Sequence, residues 1–390
     1  MADAETVDLQ ERTSGQWWHN DEAHVTASAS EVRRVGEEIL RQIGASEDEA
    51  DFLFGIYLDK ALQGDHARGL LDFPFKVRQV RDRKQPLHPE VRIVRESAST
   101  ALVDCDTPPL SGWHNSLFHR RAMEIAIEKA RATGIGWVSL RCSLLVLRSQ
   151  MYQAIDAGMV GMAMTQTYPL VAPLGGFRPM LGNAPIAFGI PAGRHAPVIV
   201  DMSCTQTSSS GVHIAAKHNM QVPEGLILDE RGLPTTDPST YAAPGHETHE
   251  KQRARGTLAV LGNSHKGYAL TFVVSLLTSV LTDTAFPWEP KEITIGAPQD
   301  GSRFGAILLA VDPAMFGTLD LLRDRVDEFI DAIKASGTRE DVAEILYPGE
   351  KSQRLQQQRR QADRFQLPKS QYENFRALAA EHGLTVSPAD

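Results

Sequence analysis

The sequence predicts a mixed α/β protein whose 390 residues form one large domain or two to three coupled ones. Three observations carry that reading. Apolar residues recur at helical spacing near both ends of the chain, and short β-branched runs bounded by Gly and Pro alternate with further helical stretches in the middle. Hydrophobic residues at 42% and charged residues at 23% give an ordinary globular composition, far from disordered or membrane classes.

Ser28, followed three residues later by Glu31, reads as a capping box, after which Val32, Val35, Ile39, Leu40 and Ile43 keep helical spacing up to Gly44. Ser46 with Glu49 repeats the signature ahead of Phe52, Leu53, Ile56, Tyr57 and Leu58, a second helix running towards Gly64. A basic third helix is expected over Phe75 to Arg83, strands over Val91 to Val94 and Ala101 to Val103, and a break at Pro108-Pro109. Met123, Ile125, Ala126, Ile127 and Ala130 place a helix over His119 to Arg131, which feeds the strand Trp137 to Leu140. The same unit recurs as Tyr152 to Ala157, the stop signal Gly158 and the strand Met159 to Thr165.

The Gly- and Pro-rich segment from Pro169 to Pro197 reads as loops wrapping a pocket, and Val198 to Met202 as a strand. Tyr268 to Leu281 reads as a buried core helix; it is interrupted by Thr271, Ser275, Thr278 and Ser279 and falls short of the roughly 20 apolar residues of a membrane span. Phe304 to Val311 reads as a strand and Leu319 to Ile333 as a helix with Leu322, Val326, Phe329, Ile330 and Ile333 on its apolar face. Gln356 to Arg360, with Arg354 and Arg364, reads as a solvated helix face, and Tyr372 to His382 as a last short helix.

Forty Lys and Arg against forty-nine Asp and Glu leave a net charge of −9, which excludes a chain-wide basic surface for nucleic acid. Cys105, Cys142 and Cys204 are odd in number and far apart, so neither a disulfide framework nor a close-spaced zinc site is expected. His213 and His218 miss the i, i+4 spacing of a helical metal pair. The acidic start MADAETVDLQ lacks the pattern of a signal peptide, so secretion has no support and the cytoplasm is expected, with a polar lead-in that carries Trp17 and Trp18. No Gly-x-Gly-x-x-Gly, Walker or Gly-x-Ser-x-Gly pattern occurs. The run Thr205 to Gly211 fits either a phosphate-cradling loop or a plain polar one.

A series of short motifs stands in order along the chain: Gly64, Phe73-Pro74, Ala122-Met123, Ile127-Glu128-Lys129-Ala130-Arg131 and Gly134-Ile135-Gly136. It continues with Ala172-Pro173-Leu174-Gly175-Gly176, Leu181-Gly182, Pro185, Asp201-Met202, Pro223-Glu224-Gly225 and Gly232-Leu233-Pro234-Thr235-Thr236-Asp237-Pro238. Lys266-Gly267-Tyr268, Val311-Asp312-Pro313 and Pro348-Gly349-Glu350 close it. Together these resemble the malate/L-lactate dehydrogenase family, which includes ureidoglycolate dehydrogenase, diketogulonate reductase and piperideine-carboxylate reductase. The resemblance implies a non-Rossmann NAD(P)H-binding α/β (α+β) fold, with a largely antiparallel central sheet, flanking helices and a smaller helical part made from both chain ends. It implies a helical part over 1–110 completed by 305–390, a central cofactor-binding and dimerisation domain over 111–304, and a homodimer acting on a small-molecule substrate.

The catalytic positions depart from the family pattern. Where relatives carry Ser-His-Gly with an Arg three residues later, this chain has Ala67, Arg68, Gly69 and Asp72. Where a second family histidine follows Asn-Ser-Asn, it has Cys142-Ser143-Leu144-Leu145 in a segment about two residues shorter, and Gly-Thr-Asn-Pro becomes Gly182-Asn183-Ala184-Pro185. Hydride reduction needs a cation for the substrate carboxylate and a proton donor titrating near neutrality. Arg68 suits the first role through its planar fork but does not give up a proton. If the stretch is helical, Asp72 pairs with Arg68 at i, i+4. The candidate catalytic residues are therefore Arg68, Asp72 and His66, with the phenols of Tyr152 and Tyr168 as further donors. The resemblance assigns Lys266, His265, Asn183 and Gly182 to cofactor binding, and no metal. Two readings follow: an NAD(P)H-dependent reductase of a small 2-oxo or cyclic imino acid with an altered proton donor, or a scaffold repurposed to non-redox chemistry or binding.

Overall fold

Ser46 opens a helix as its spacing predicts: its hydroxyl accepts the Glu49 amide while the Glu49 carboxylate accepts the Ser46 amide. Ser28 likewise accepts the Glu31 amide, and its hydroxyl donates to Asp363, which also takes the amide and hydroxyl of Ser30. The computed structural model describes residues 23–65, 69–83, 87–88, 90–105, 112–142, 146–241, 256–288, 293–294, 297–298 and 304–389. Trp17, Trp18 and the Pro108-Pro109 break lie outside them.

The first elements are β1 (His24–Ala27), α1 (Ala29–Gln42), α2 (Glu47–Leu62), α3 (Phe73–Arg83), β2 (Val91–Glu96), β3 (Thr100–Cys105), α4 (Gly112–Thr133), β4 (Ile135–Leu140), α5 (Arg148–Asp156) and β5 (Val160–Thr165). They are followed by β6 (Ile186–Ile190), β7 (Val198–Met202), α6 (Ser209–Lys217), α7 (His265–Val280), β8 (Ala306–Val311), α8 (Leu319–Lys334), α9 (Glu350–Ala362), β9 (Phe365–Pro368) and α10 (Lys369–Glu381). The chain divides into two units, one from the described residues of 91–108 and 120–348, the other from those of 21–90, 109–119 and 349–390. The boundaries expected from sequence lay at 110 and 304.

The first unit is built on a seven-stranded sheet in the order β2-β3-β4-β8-β5-β6-β7. Every neighbouring pair is antiparallel except β3 with β4. Central β8 is buried almost throughout, with Leu308 opposite Val138 on one side and Ala163 on the other. Strand β6 corrects the expectation of loops from 169 to 197. Its Gly189, like Gly161 of β5, is a point of close approach to α5: an added Cβ would lie 2.8 Å from Met151 at Gly189 and 2.8 Å from Ala154 at Gly161.

Helix α7 also departs from expectation. Its buried stripe is Gly267, Thr271, Ser275, Thr278 and Ser279 with Val274, while Phe272, Val273, Leu276, Val280 and Leu281 are 44–56% exposed in the single chain. Burying Thr271 and Thr278 is inexpensive because their hydroxyls donate to their own helix, at Gly267 O (2.9 Å) and Val274 O (2.6 Å), whereas the buried Ser275 hydroxyl has no partner among the described residues. The small side chains admit the backbone of Gly305, where a Cβ would meet Thr278 O at 2.0 Å. In α8 the buried residues are Ile330 and Asp327, whereas Phe329 and Ile333 of the expected apolar face are exposed. No helix among the described residues is long and apolar enough to cross a membrane.

The second unit is a helical cluster fastened by the antiparallel pair β1 and β9, which joins residues from both chain ends. Phe54, Phe73 and Phe375 form its aromatic centre, with ring centroids 4.9 Å apart for Phe54 and Phe73 and 5.9 Å for Phe73 and Phe375. The Arg-rich stretch proves more than a solvated face: Arg359 donates to the Ala61 and Leu62 carbonyls, capping the C-terminus of α2, and Arg360 pairs with Asp59. Burial lowers the pKa of the Arg359 guanidinium.

Candidate active site

Two neighbouring turns and the start of α7 meet in the first unit. The turn Gly182-Asn183 leads into β6; the Cys204 amide donates to Asn183 O at 2.9 Å, and Cys204 O accepts the Leu261 amide (3.0 Å) and the Thr271 hydroxyl (3.2 Å). The Gln206 amide bonds Ala259 O, and Gln206 Oε1 accepts the Gly262 amide. The expected cofactor residues Gly182 and Asn183 are thus tied to the segment that presents His265 and Lys266.

Both His265 and Lys266 are exposed on the first turn of α7, and Ser264 makes no side-chain cap there. The first-turn amides have no intrahelical acceptor, so the helix end and the Lys266 ammonium together fit a phosphate or another anion. Gly267 is required for a different reason: a Cβ would lie 2.0 Å from Leu261 O. Gly182 is likewise demanded by packing, since a Cβ would meet Gln166 Oε1 at 2.3 Å and Thr167 Oγ1 at 2.6 Å. Ala184 adopts a left-handed backbone (φ 45°), the conformation in which Asn is better tolerated than Ala.

Cys204 is buried, which pushes its thiol up to about 12 and leaves it no thiolate for nucleophilic work at neutral pH. Tyr168 is pushed up by burial against a lowering hydrogen bond from Ser209, and the Tyr241 hydroxyl donates to the same Ser209 at 2.8 Å. The Ser208 hydroxyl caps α6 by accepting the Gly211 amide, so the run from Thr205 to Gly211 spends that oxygen on its own helix. Tyr152 lies under the Arg148 guanidinium, 5.8 Å from its ring centroid. Among the described residues no group of three or more His, Cys, Asp and Glu is placed to hold a metal ion.

In the second unit, residues 69–72 form a turn and the helix begins only at Phe73. Asp72 is exposed at its start, where its carbonyl accepts the Lys76 amide at 3.0 Å and its carboxylate complements the helix dipole. Gly69, the residue that survives from the family's first motif, fits because a Cβ would lie 3.1 Å from Ala61 N and Asp65 O. His66, Ala67, Arg68 and Leu145 lie outside the described residues. Sequence reasoning missed Gln166 and Thr167, which pack against Gly182 and bond Asn183; the glycine at 182 is the one sequence signal that points to them.

A profile of the malate/L-lactate dehydrogenase family matches residues 27–376. The chain belongs to that family. It is 32% identical over 361 residues to an L-sulfolactate dehydrogenase of Methanothermobacter thermautotrophicus, covering 91% of this chain and 96% of that protein. It is also 33% identical over 170 residues to a Delta(1)-pyrroline-2-carboxylate/Delta(1)-piperideine-2-carboxylate reductase of Pseudomonas putida, covering 43% of this chain and 46% of that one. The solved sulfolactate dehydrogenase of Methanocaldococcus jannaschii superposes with a TM-score of 0.76 at 27% identity, over 92% of this chain and 98% of that one. Membership of the malate/L-lactate dehydrogenase family makes the chain an oxidoreductase enzyme with the family's non-Rossmann fold.

Proposed function

We propose that this enzyme uses NADH or NADPH to reduce the C=O or C=N bond of a small 2-oxo or cyclic imino acid, with a proton donor other than the histidines of the family pattern. The observation that carries the reading is that Asn183 and the 203–206 loop are hydrogen-bonded to Leu261 and Gly262, just ahead of the α7 start that exposes Lys266, and to Thr271 of that helix. A bound dihydronicotinamide would supply the hydride. Lys266 and the first-turn amides of α7 would hold the nucleotide's phosphates, and Arg68 would bind the substrate carboxylate.

Arg68 does not protonate the product, because a guanidinium of pKa above about 12 keeps its protons. A protonated cyclic iminium accepts hydride without a separate acid, so the imino acid is the favoured substrate class. The name of the Pseudomonas relative points the same way. Asp72 adds a like charge that disfavours a dianionic 2-oxo acid. The apolar outward face of α7 supports a homodimer closed over that helix, and the buried cysteines Cys142 and Cys204, neither in a disulfide, suit the cytoplasm.

The test is NAD(P)H oxidation with pyruvate, oxaloacetate and piperideine-2-carboxylate, repeated on Arg68→His combined with Asp72→Arg. The imine should turn over fastest, and the double variant should gain activity on the 2-oxo acids. Faster reduction of pyruvate or oxaloacetate by the unsubstituted enzyme would overturn the assignment of Arg68 and Asp72.

A further inference from the structure

Three hydroxyls stand in a row between the segment after β5 and the start of α6. Tyr241, only 2% exposed, donates to Ser209 Oγ at 2.8 Å and has no other acceptor among the described residues. Ser209, the first residue of α6, is hydrogen-bonded in turn to the half-buried Tyr168. A serine hydroxyl owns one proton. Were Ser209 to give it to Tyr241, the Tyr241 proton would be stranded in a buried place at the full desolvation cost of an unsatisfied donor. The row therefore runs from Tyr241 through Ser209 to Tyr168, and the Tyr168 hydroxyl receives a bond while its own proton has no acceptor among the described residues.

The phenol at the open end of that row is well placed. Tyr168 follows Thr167, whose hydroxyl bonds Asn183 (2.9 Å), and precedes Leu170, whose amide donates to Leu181 O (2.8 Å). Its ring packs on the same apolar cluster as Tyr268 from the start of α7, a cluster that includes Val212 of α6 and Tyr241. Burial keeps the Tyr168 hydroxyl protonated at neutral pH, so it is a donor there.

We propose that Tyr168 is the proton donor of the reduction, with Ser209 as the positioning residue that aims its hydroxyl, an assignment that rests on the reductase reading of this enzyme. As hydride bonds to the carbon of C=O or C=N, the π pair passes to the oxygen or nitrogen, which takes the Tyr168 proton. The phenolate left behind keeps the Ser209 hydrogen bond and regains a proton from water. Tyr152, the other phenol singled out in the sequence, lies under the Arg148 guanidinium and has no such row behind it among the described residues.

The experiment follows NAD(P)H oxidation by the full-length protein with pyruvate and with piperideine-2-carboxylate, beside calorimetric titration of the nucleotide and thermal denaturation. The variants are Tyr168→Phe, Ser209→Ala and Ser209→Thr. A general acid contributes about 10²–10⁴-fold, so Tyr168→Phe should lose about a hundredfold or more in kcat on the 2-oxo acid. The loss on the imine should be smaller, about tenfold, because an iminium already protonated in solution bypasses the donor. Nucleotide affinity should stay within about twofold of the parent, with unchanged melting. Ser209→Ala should lose about tenfold in kcat, and Ser209→Thr, which keeps the hydroxyl, should recover most of it. Equal losses on the two acids, or a nucleotide affinity that falls as far as kcat does, would make Tyr168 a packing or cofactor residue and overturn the proposal. So would Tyr168→Phe with at least half the parental kcat, or an equal loss in both serine variants. If the parent turns over one acid alone, a loss below about threefold on that acid in Tyr168→Phe overturns the proposal. If Tyr168→Phe fails to fold, the comparison of Ser209→Ala with Ser209→Thr decides. A parent that binds neither nucleotide at millimolar concentration, or oxidises neither with either acid, removes the reductase reading and this proposal with it.

Discussion

Replacing Asp327 should loosen the turn between β6 and β7. Its carboxylate, only 3% exposed, accepts the amides of Gly193 (3.1 Å), Arg194 (2.6 Å) and His195 (3.3 Å), and the Arg194 guanidinium approaches it at 3.6 Å. Hydrogen bonds to a charged group are each worth about 1.5–3 kcal/mol net. Counting the short Arg194 bond in full and the two longer ones at half weight, Asp327→Ala should cost about 3 kcal/mol, and Asp327→Asn, which keeps one acceptor, about half that. Burial pushes the Asp327 carboxyl up, but the three amides and Arg194 outweigh it and hold the pKa below the usual value. For a depressed carboxyl the stabilisation is complete above the unfolded value of about 3.9 and is lost as pH falls through the lower folded value. The difference between parent and Asp327→Ala should therefore be flat from pH 7 to 5 and shrink only below about pH 4. Urea unfolding across that range measures it, with amide exchange at Arg194 as the local readout. A loss below about 0.5 kcal/mol would refute the reasoning. So would a difference that narrows between pH 7 and 5.

Lys266→Ala should weaken NADH and NADPH binding about tenfold by titration while leaving the melting temperature unchanged, because the side chain is exposed and pairs with nothing among the described residues. If the proposed homodimer forms, Leu276→Asp on the outward face of α7 should convert it to a monomer in light scattering; a monomeric parent at micromolar concentration would remove the role given to that face. Arg359→Ala should lower the urea midpoint by an amount equivalent to about 1–2 kcal/mol, since two carbonyls at the end of α2 lose their donor.

Most elements were legible because their local chemistry agrees with their tertiary surroundings. Ser28 and Ser46 cap where spacing says, and Gly158 ends α5 in a left-handed conformation (φ 78°) as a stop signal should. The failures share a cause: residues chosen for a neighbour rather than for their own element. Gly189 reads as a loop glycine until α5 is seen against it, and the hydroxyls of α7 read as interruptions of a core helix until β8 lies on them. Asp327 looks like a solvent-facing charge because its three partners sit more than 130 residues away in sequence. At the site, the family motifs pointed to Lys266 and Asn183, but Gln166 and Thr167 carry no motif and emerge only from the space left at Gly182. Asp72 stood out in sequence as a catalytic candidate that would pair with Arg68 inside a helix, but the helix begins only after it, and its place at the start of α3 gives it a helix-stabilising role.

Hydride transfer from a nicotinamide nucleotide to a small acid leaves an isotopic trace in the product. The enzyme would be incubated with NADH or NADPH deuterated at C4 and with piperideine-2-carboxylate or a 2-oxo acid, and the product examined by mass spectrometry and NMR. One deuterium at the carbon adjacent to the carboxylate, matched by an equal amount of oxidised nucleotide, is the expected result. An unlabelled product, or no nucleotide oxidation with any of these acids, would contradict the account.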